Sequence, residues 1–265
     1  MAMLSTPRGR FNVVVEGRRD APVLMFSNSL GTTLDMWTAQ LRALGEHFSI
    51  LRYDTRGHGG SVVTPGPYTI VQLADDAIAI MDVLELPQVD FCGLSMGGMI
   101  GMWLGIHAPS RISRLVVANS ALQIAPARLW NDRIATVRRS GMSAIAEGVV
   151  QRWFTTGFIQ REPNTVDTIK RMIVHAPQEG YVSCCAAVRD FDVRDVIDKI
   201  ALPVMVIAGD ADPATPPQLT QQIAQSIAGS RFESLPAAHL SNIECSGAFN
   251  RVLADFLKPQ RPNHG

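Results

Sequence analysis

The chain has 265 residues, in which 24 Lys and Arg balance 24 Asp and Glu, so the formal net charge is zero. No long basic or acidic run breaks this balance, which argues against nucleic acid or an anionic membrane as a partner. The first ten residues lack the apolar segment of a signal peptide, and no apolar run approaches the roughly 20 residues of a membrane span. A soluble, cytoplasmic protein is therefore expected, long enough for one large α/β domain or for a domain with an inserted lid. The cysteines, Cys92, Cys184, Cys185 and Cys245, have neither C-x-x-C spacing nor a histidine set beside them. They read as reduced packing residues, and no metal site is expected.

Taken in chain order, residues 11–16 form a short β-like run. Pro22 then leads into Val23-Leu24-Met25-Phe26, an unbroken apolar run typical of a strand buried on both faces. Residues 27–35 are small and polar, a loop leaving the carboxyl end of a strand, where open parallel sheets bind ligands. A helix is predicted over 37–44 and a strand over 48–53, ending in the glycine-rich turn 54–61. Thr69 and Gln72 form a capping box before a helix whose apolar stripe runs through Ile70, Leu73, Ala74, Ala77, Ile78, Met81 and Leu84. Asp75, Asp76 and Asp82 lie off that stripe and are expected to face water. A strand over 89–92 precedes a helix that Pro109 stops. Glycine at positions 97, 101 and 105 gives that helix a bare face for close packing.

After a strand over Ile112–Ala118 the β/α rhythm stops. Residues 121–190 read as successive helices over 130–139, Ser143–Trp153, 164–176 and 181–188. Such an interruption marks an inserted lid, with residues 1–120 and 191–265 forming the core. A helix is predicted over 192–200, a strand over Val204–Gly209, a helix over 218–227, a strand over Arg231–Leu235 and a closing helix over 249–257. The tail from Lys258 is expected to fray.

Chemistry enters at Gly93-Leu94-Ser95-Met96-Gly97, a G-x-S-x-G pentapeptide between a strand and a helix. A serine on so sharp a turn presents its hydroxyl clear of the sheet, which makes Ser95 the candidate nucleophile. A serine hydroxyl is weakly nucleophilic at neutral pH and needs a base, and the base needs an orienting acid. His239 alone follows directly on the last predicted strand, so it is the candidate base. His47, His58, His107, His175 and His264 read as structural or surface residues. The loop after the preceding strand offers two acids, Asp210 and Asp212, and chemistry does not choose between them.

These residues, with Tyr53-Asp54-Thr55-Arg56-Gly57-His58-Gly59, resemble the α/β-hydrolase superfamily along nearly the whole chain. That resemblance implies a mostly parallel central sheet flanked by helices, with a helical lid, and it selects Asp212 as the acid. The loop Ser27-Asn28-Ser29-Leu30-Gly31-Thr32 departs from the His-Gly that most relatives carry at positions 28 and 29. It is similar instead to the N-S-L-G-T loop of the 3-oxoadipate enol-lactonases. The G-L-S-M-G-G elbow and the segments 130–134 and 180–190 match that family too.

The resemblance implies hydrolysis of 3-oxoadipate enol-lactone in bacterial aromatic catabolism, through a Ser95 acyl-enzyme. The backbone N–H groups of Leu30 and Met96 would form the oxyanion hole, and no cofactor or metal would be needed. The implied substrate carries a carboxylate, for which Trp130 and Arg133, sharing a face of a predicted lid helix, are candidates, as is Trp153. Arg128, Arg138, Arg139 and Arg152 read as solvated surface. A general carboxylesterase, a carbon–carbon bond hydrolase and a non-catalytic binding module are the alternatives, and the oligomeric state is left open.

Overall fold

Unbroken apolar runs leave no polar face for water, and the chain packs them as inner strands of a sheet covered on both sides. The computed structural model describes residues 2–124 and 126–257. Its strands are β1 (Ala2–Thr6), β2 (Gly9–Gly17), β3 (Val23–Ser27), β4 (Ser49–Tyr53), β5 (Val89–Leu94), β6 (Ile112–Ala118), β7 (Val204–Gly209) and β8 (Arg231–Leu235). Among the described residues they form one sheet in the order β1-β2-β4-β3-β5-β6-β7-β8. β1–β2 and β2–β4 are antiparallel, and every pair from β4 to β8 is parallel. Leu24, Phe26, Ile50, Phe91, Val117 and Ile207 at its centre are fully buried.

Helices α1 (Thr38–Leu44), α2 (Ile70–Val83) and α3 (Met96–His107) alternate with the first parallel strands. Among the described residues, five helices then stand between β6 and β7: α4 (Ala127–Ser140), α5 (Ser143–Trp153), α6 (Thr156–Arg161), α7 (Pro163–His175) and α8 (Gln178–Arg189). The chain closes with α9 (Pro217–Ser226), α10 (Ser241–Glu244) and α11 (Ser246–Leu257). No helix among the described residues is long and apolar enough to cross a membrane. The tail from Lys258, with His264, lies outside the described residues.

Local signals act as expected at several points. The Thr69 hydroxyl accepts the Gln72 N–H at 3.1 Å and caps α2. The bare face of α3 lies hard on the sheet, where a Cβ on Gly97 would meet Ser27 O at 2.1 Å. Cys92, Cys184 and Cys185 are buried free thiols, and burial pushes each pKa up.

Three expectations need correction. Asp76 does not face water: it is 1% exposed and accepts from Arg56 at 2.6 and 2.7 Å and from Arg8 at 2.8 Å. Two arginines from the sheet side neutralise a carboxylate that periodicity alone would put outside. Residues 192–200 are not a helix beyond the short 3₁₀ turn Ile197–Lys199. Asp192 instead bridges to Gln123 and takes the Arg194 N–H on its side chain, a local bond that competes with helix formation. β1 was not predicted. Its short, mixed sequence becomes a strand through its pairing with β2, as in Leu4 against Phe11.

Candidate active site

The turn from β5 to α3 holds Ser95 at φ 58° and ψ −114°, a left-handed conformation rare for a residue with a side chain. Its neighbours over-determine that geometry. Ser95 N donates to Ala118 O at 2.9 Å, and the Ser120 hydroxyl donates to Ser95 O at 2.9 Å. A Cβ on Gly93 would lie 2.0 Å from Gly97 O, so the elbow closes only on glycine.

His239 stands on the loop after β8 and is 3% exposed, with its Nδ1 2.8 Å from Asp212 Oδ2. Leu240 N donates to Trp153 O at 3.1 Å, tying this loop to the end of α5. The acceptor at Nδ1 fixes the tautomer with hydrogen on that nitrogen, leaving Nε2 as the basic position. Asp212 lies on the loop after β7 and is 2% exposed. Its Oδ2 also accepts from the Thr215 hydroxyl at 2.6 Å and Asn119 Nδ2 at 3.0 Å. Its Oδ1 accepts the N–H groups of Ala214 and Thr215 at 2.8 and 3.0 Å. Burial alone would raise the Asp212 pKa. The charge and hydrogen bond of His239, with the bonds from Thr215, outweigh it and hold the carboxyl below the ordinary range. Asp210 is exposed and bonds the Ser234 hydroxyl. Of the two acids, Asp212 partners His239.

Asn119, at the carboxyl end of β6, is a part of this network that sequence reasoning missed. It is fully buried at φ 45°. Its amide donates to Asp212 Oδ2 and, at 3.2 Å, to Ala238 O, while its Oδ1 accepts from the Ser241 hydroxyl at 2.5 Å. One side chain thus ties the acid loop to the histidine loop. The available signal was position: Asn119-Ser120 follows an apolar strand directly, where open α/β sheets build their sites.

The loop after β3 packs against the first turn of α3, since a Cβ on Gly97 would also come within 3.1 Å of Asn28 N. Asn28 Nδ2 donates to Tyr53 O at 2.8 Å, and its Oδ1 accepts from Trp37 Nε1 at 2.9 Å. Among the described residues, neither Leu30 N–H nor Met96 N–H donates to another backbone group. Met96 N belongs to the first turn of α3, where helices leave such groups unpaired.

A cavity of about 480 Å³ opens between these loops and helices α4 and α5. Ser95, His239, Leu30, Trp130, Arg133 and Trp153 all line it; Asp212 stands behind His239, and Met96 is buried outside the lining. The Arg133 guanidinium lies 4.8 Å from the centre of the Trp130 ring, a cation–π contact. The Trp153 ring is 5.9 Å from the imidazole of His239. Arg128, Arg138 and Arg139 are exposed, as expected. Arg152 is different: though exposed on one side, it lines the cavity, and burial followed by repulsion from Arg133 pushes its pKa down. Asp132, the acid of this wall, pairs with Arg128 at 3.5 Å instead. Among the described residues, the cavity therefore holds two cations that its own carboxylate leaves uncompensated.

Comparison with known proteins places the chain in a family. The family model for the alpha/beta hydrolase fold matches residues 22–245. The chain is 43% identical over 247 residues to 3-oxoadipate enol-lactonase 2 of Acinetobacter baylyi, covering 93% of this chain and 92% of that protein. The crystal structure of the enol-lactonase from Burkholderia xenovorans superposes with a TM-score of 0.96 at 41% identity, over 97% of this chain and all of that one. An esterase from Thermogutta terrifontis, with malate bound, superposes with a TM-score of 0.90 at 26% identity, over 97% of each chain. By sequence and by architecture the chain belongs to the α/β-hydrolase family and, within it, resembles the 3-oxoadipate enol-lactonases.

Proposed function

We propose that this hydrolase opens 3-oxoadipate enol-lactone to 3-oxoadipate, in the bacterial breakdown of aromatic compounds, by way of a Ser95 acyl-enzyme. One observation carries the reading: a buried Asp212–His239 pair backs onto the same cavity as Ser95, and two uncompensated arginines line the opposite wall. The pair suits acyl transfer, and the arginines suit a substrate bearing a free carboxylate.

His239 Nε2 takes the proton of the Ser95 hydroxyl as Oγ attacks the lactone carbonyl. Asp212 keeps the imidazole in the Nδ1–H tautomer and stabilises the imidazolium that forms. Among the described residues the Ser95 hydroxyl is not bonded to His239, although both line the same cavity; catalytic hydrogen bonds are often long or poorly aligned without substrate and tighten in the complex. The backbone N–H groups of Leu30 and Met96 receive the tetrahedral oxyanion, each contributing about 3 kcal/mol of transition-state stabilisation. The ring C–O bond then breaks. Its oxygen leaves as an enolate, takes the proton from Nε2 and tautomerises to the ketone. A water molecule, deprotonated by the same nitrogen, attacks the acyl carbon, and the Ser95 oxygen leaves with that proton.

Arg133, held against Trp130, and Arg152 would bind the carboxylate, while Trp153 packs beside the reacting ring. In this reading residues 121–190 form a lid over a core of residues 1–120 and 191–265. The test is loss of the enol-lactone's ultraviolet absorbance, measured beside simple esters and a ring-fission product. A strong preference for the carboxylated lactone is expected; equal turnover of neutral esters would make the protein a general carboxylesterase.

A further inference from the structure

The turn after β4, Asp54 to Ser61, carries no role in the reaction sequence above, yet it touches the loop that supplies the Leu30 N–H. His58 is 1% exposed, and its Nε2 accepts the Gly31 N–H at 2.8 Å. Its Nδ1 faces Arg56 O at 3.3 Å. A carbonyl can only accept, and an amide N–H can only donate. The ring must therefore carry hydrogen on Nδ1 and a lone pair on Nε2.

We infer that His58 is a positioning residue for the oxyanion loop: through the Gly31 N–H it holds the peptide next to Leu30, and so aims the Leu30 N–H at the reacting carbonyl. The inference rests on the proposed role of Leu30. Two other contacts complete the clamp. Ser29 O accepts from Thr32 N at 3.2 Å and from the Thr32 hydroxyl at 2.8 Å. In a trans peptide the N–H points away from its C=O, so these bonds direct the Leu30 N–H away from Thr32. Leu34 N donates to Asp54 Oδ1 at 2.8 Å, anchoring the far end of the loop to the same turn as His58.

The turn itself is firmly held. Arg56 makes two bonds to the buried Asp76, and a Cβ on Gly57 would lie 2.6 Å from Gly180 Cα at the start of α8. Gly31 has φ 87°, a conformation open to glycine, and its N–H has no acceptor but the imidazole among the described residues. Burial lowers the His58 pKa, against smaller raising effects of Arg56 O and Asp54, and so favours the neutral ring the contact needs.

The test compares His58→Leu, which removes the acceptor, with His58→Gln, whose amide carbonyl can replace it. His58→Leu should lower kcat about tenfold or more while KM changes less than about twofold, and His58→Gln should recover most of that loss. Unchanged kcat in His58→Leu, or equal losses in the two variants, would overturn the assignment. If the leucine variant does not fold, the wild-type protein decides through ¹⁵N resonances of the imidazole at neutral pH. A protonated Nδ1 with an unprotonated Nε2 is expected; hydrogen on Nε2 refutes the clamp whatever the reaction. Turnover retained by Ser95→Ala would instead remove the covalent mechanism and leave the tautomer result standing.

Discussion

On the sheet side of the cavity, Asp212 accepts from His239, Thr215, Asn119 and Ala214, and Asn119 is itself bonded to Ala238 O and the Ser241 hydroxyl. On the helical side, Arg133 rests on the Trp130 ring and Arg152 stands beside it, with Asp132 turned to Arg128. The contrast follows from what each wall must do in the proposed reaction. Charge that develops in a transition state is stabilised best by dipoles already in place, whereas a carboxylate far from the bond being broken can be met by long, adaptable side chains. In the proposed reaction the first wall would act on the bond being broken and the second would select the substrate.

Substitutions can break this contrast at either wall. The largest effect is expected for Ser95→Ala, which should cost about 10⁶ in kcat on the enol-lactone with the fold retained. A fluorophosphonate probe that labels the wild-type protein at Ser95 should leave the variant untouched. Asp212→Asn should cost about 10⁴ in kcat with little change in KM, because the asparagine amide favours the wrong imidazole tautomer. A loss confined to KM would show that the carboxylate does not act through His239.

The helical wall should answer in KM. Arg133→Ala should weaken the carboxylated lactone by about 1.5–3 kcal/mol, roughly ten- to a hundredfold, and a neutral ester far less. Arg152→Ala should act in the same direction more weakly, because its exposed side is screened by solvent. Equal losses on charged and neutral substrates would deny both arginines a part in recognition. Asn119→Ala should lower stability by about 1–3 kcal/mol in urea denaturation, since it leaves the Ser241 hydroxyl and Ala238 O without their partner.

The smallest expected effect is on stability against pH. The folded Asp212 pKa lies below the ordinary carboxylate value near 3.9, so the unfolded chain binds more protons in that window. Its contribution is complete above the unfolded pKa and is lost as pH falls through the folded one. The difference in denaturation midpoint between wild type and Asp212→Asn should therefore shrink as pH falls below about 4. A gap that stays constant there would count against the stabilised carboxylate.

Much of the fold was legible as hydrophobic pattern. The run 23–26, the strands at Ile112–Ala118 and Val204–Gly209, and the capped helix after Thr69 each depend on a few neighbouring residues, and local preference acts over that range. The elbow at Ser95 was legible for the same reason, since a strand, a tight glycine turn and a helix are contiguous. Pairings across the chain were not. Asp210 and Asp212 sit two residues apart with the same chemistry, and what separates them is that one is buried 2.8 Å from His239 while the other is exposed beside Ser234. Asp76 passed for a surface residue until Arg8 and Arg56, distant in sequence, were brought to it. Asn119 and Arg152 likewise gain their places from segments far along the chain. Periodicity reports which face a residue takes on its own element, while burial and charge compensation depend on what the fold lays against that face.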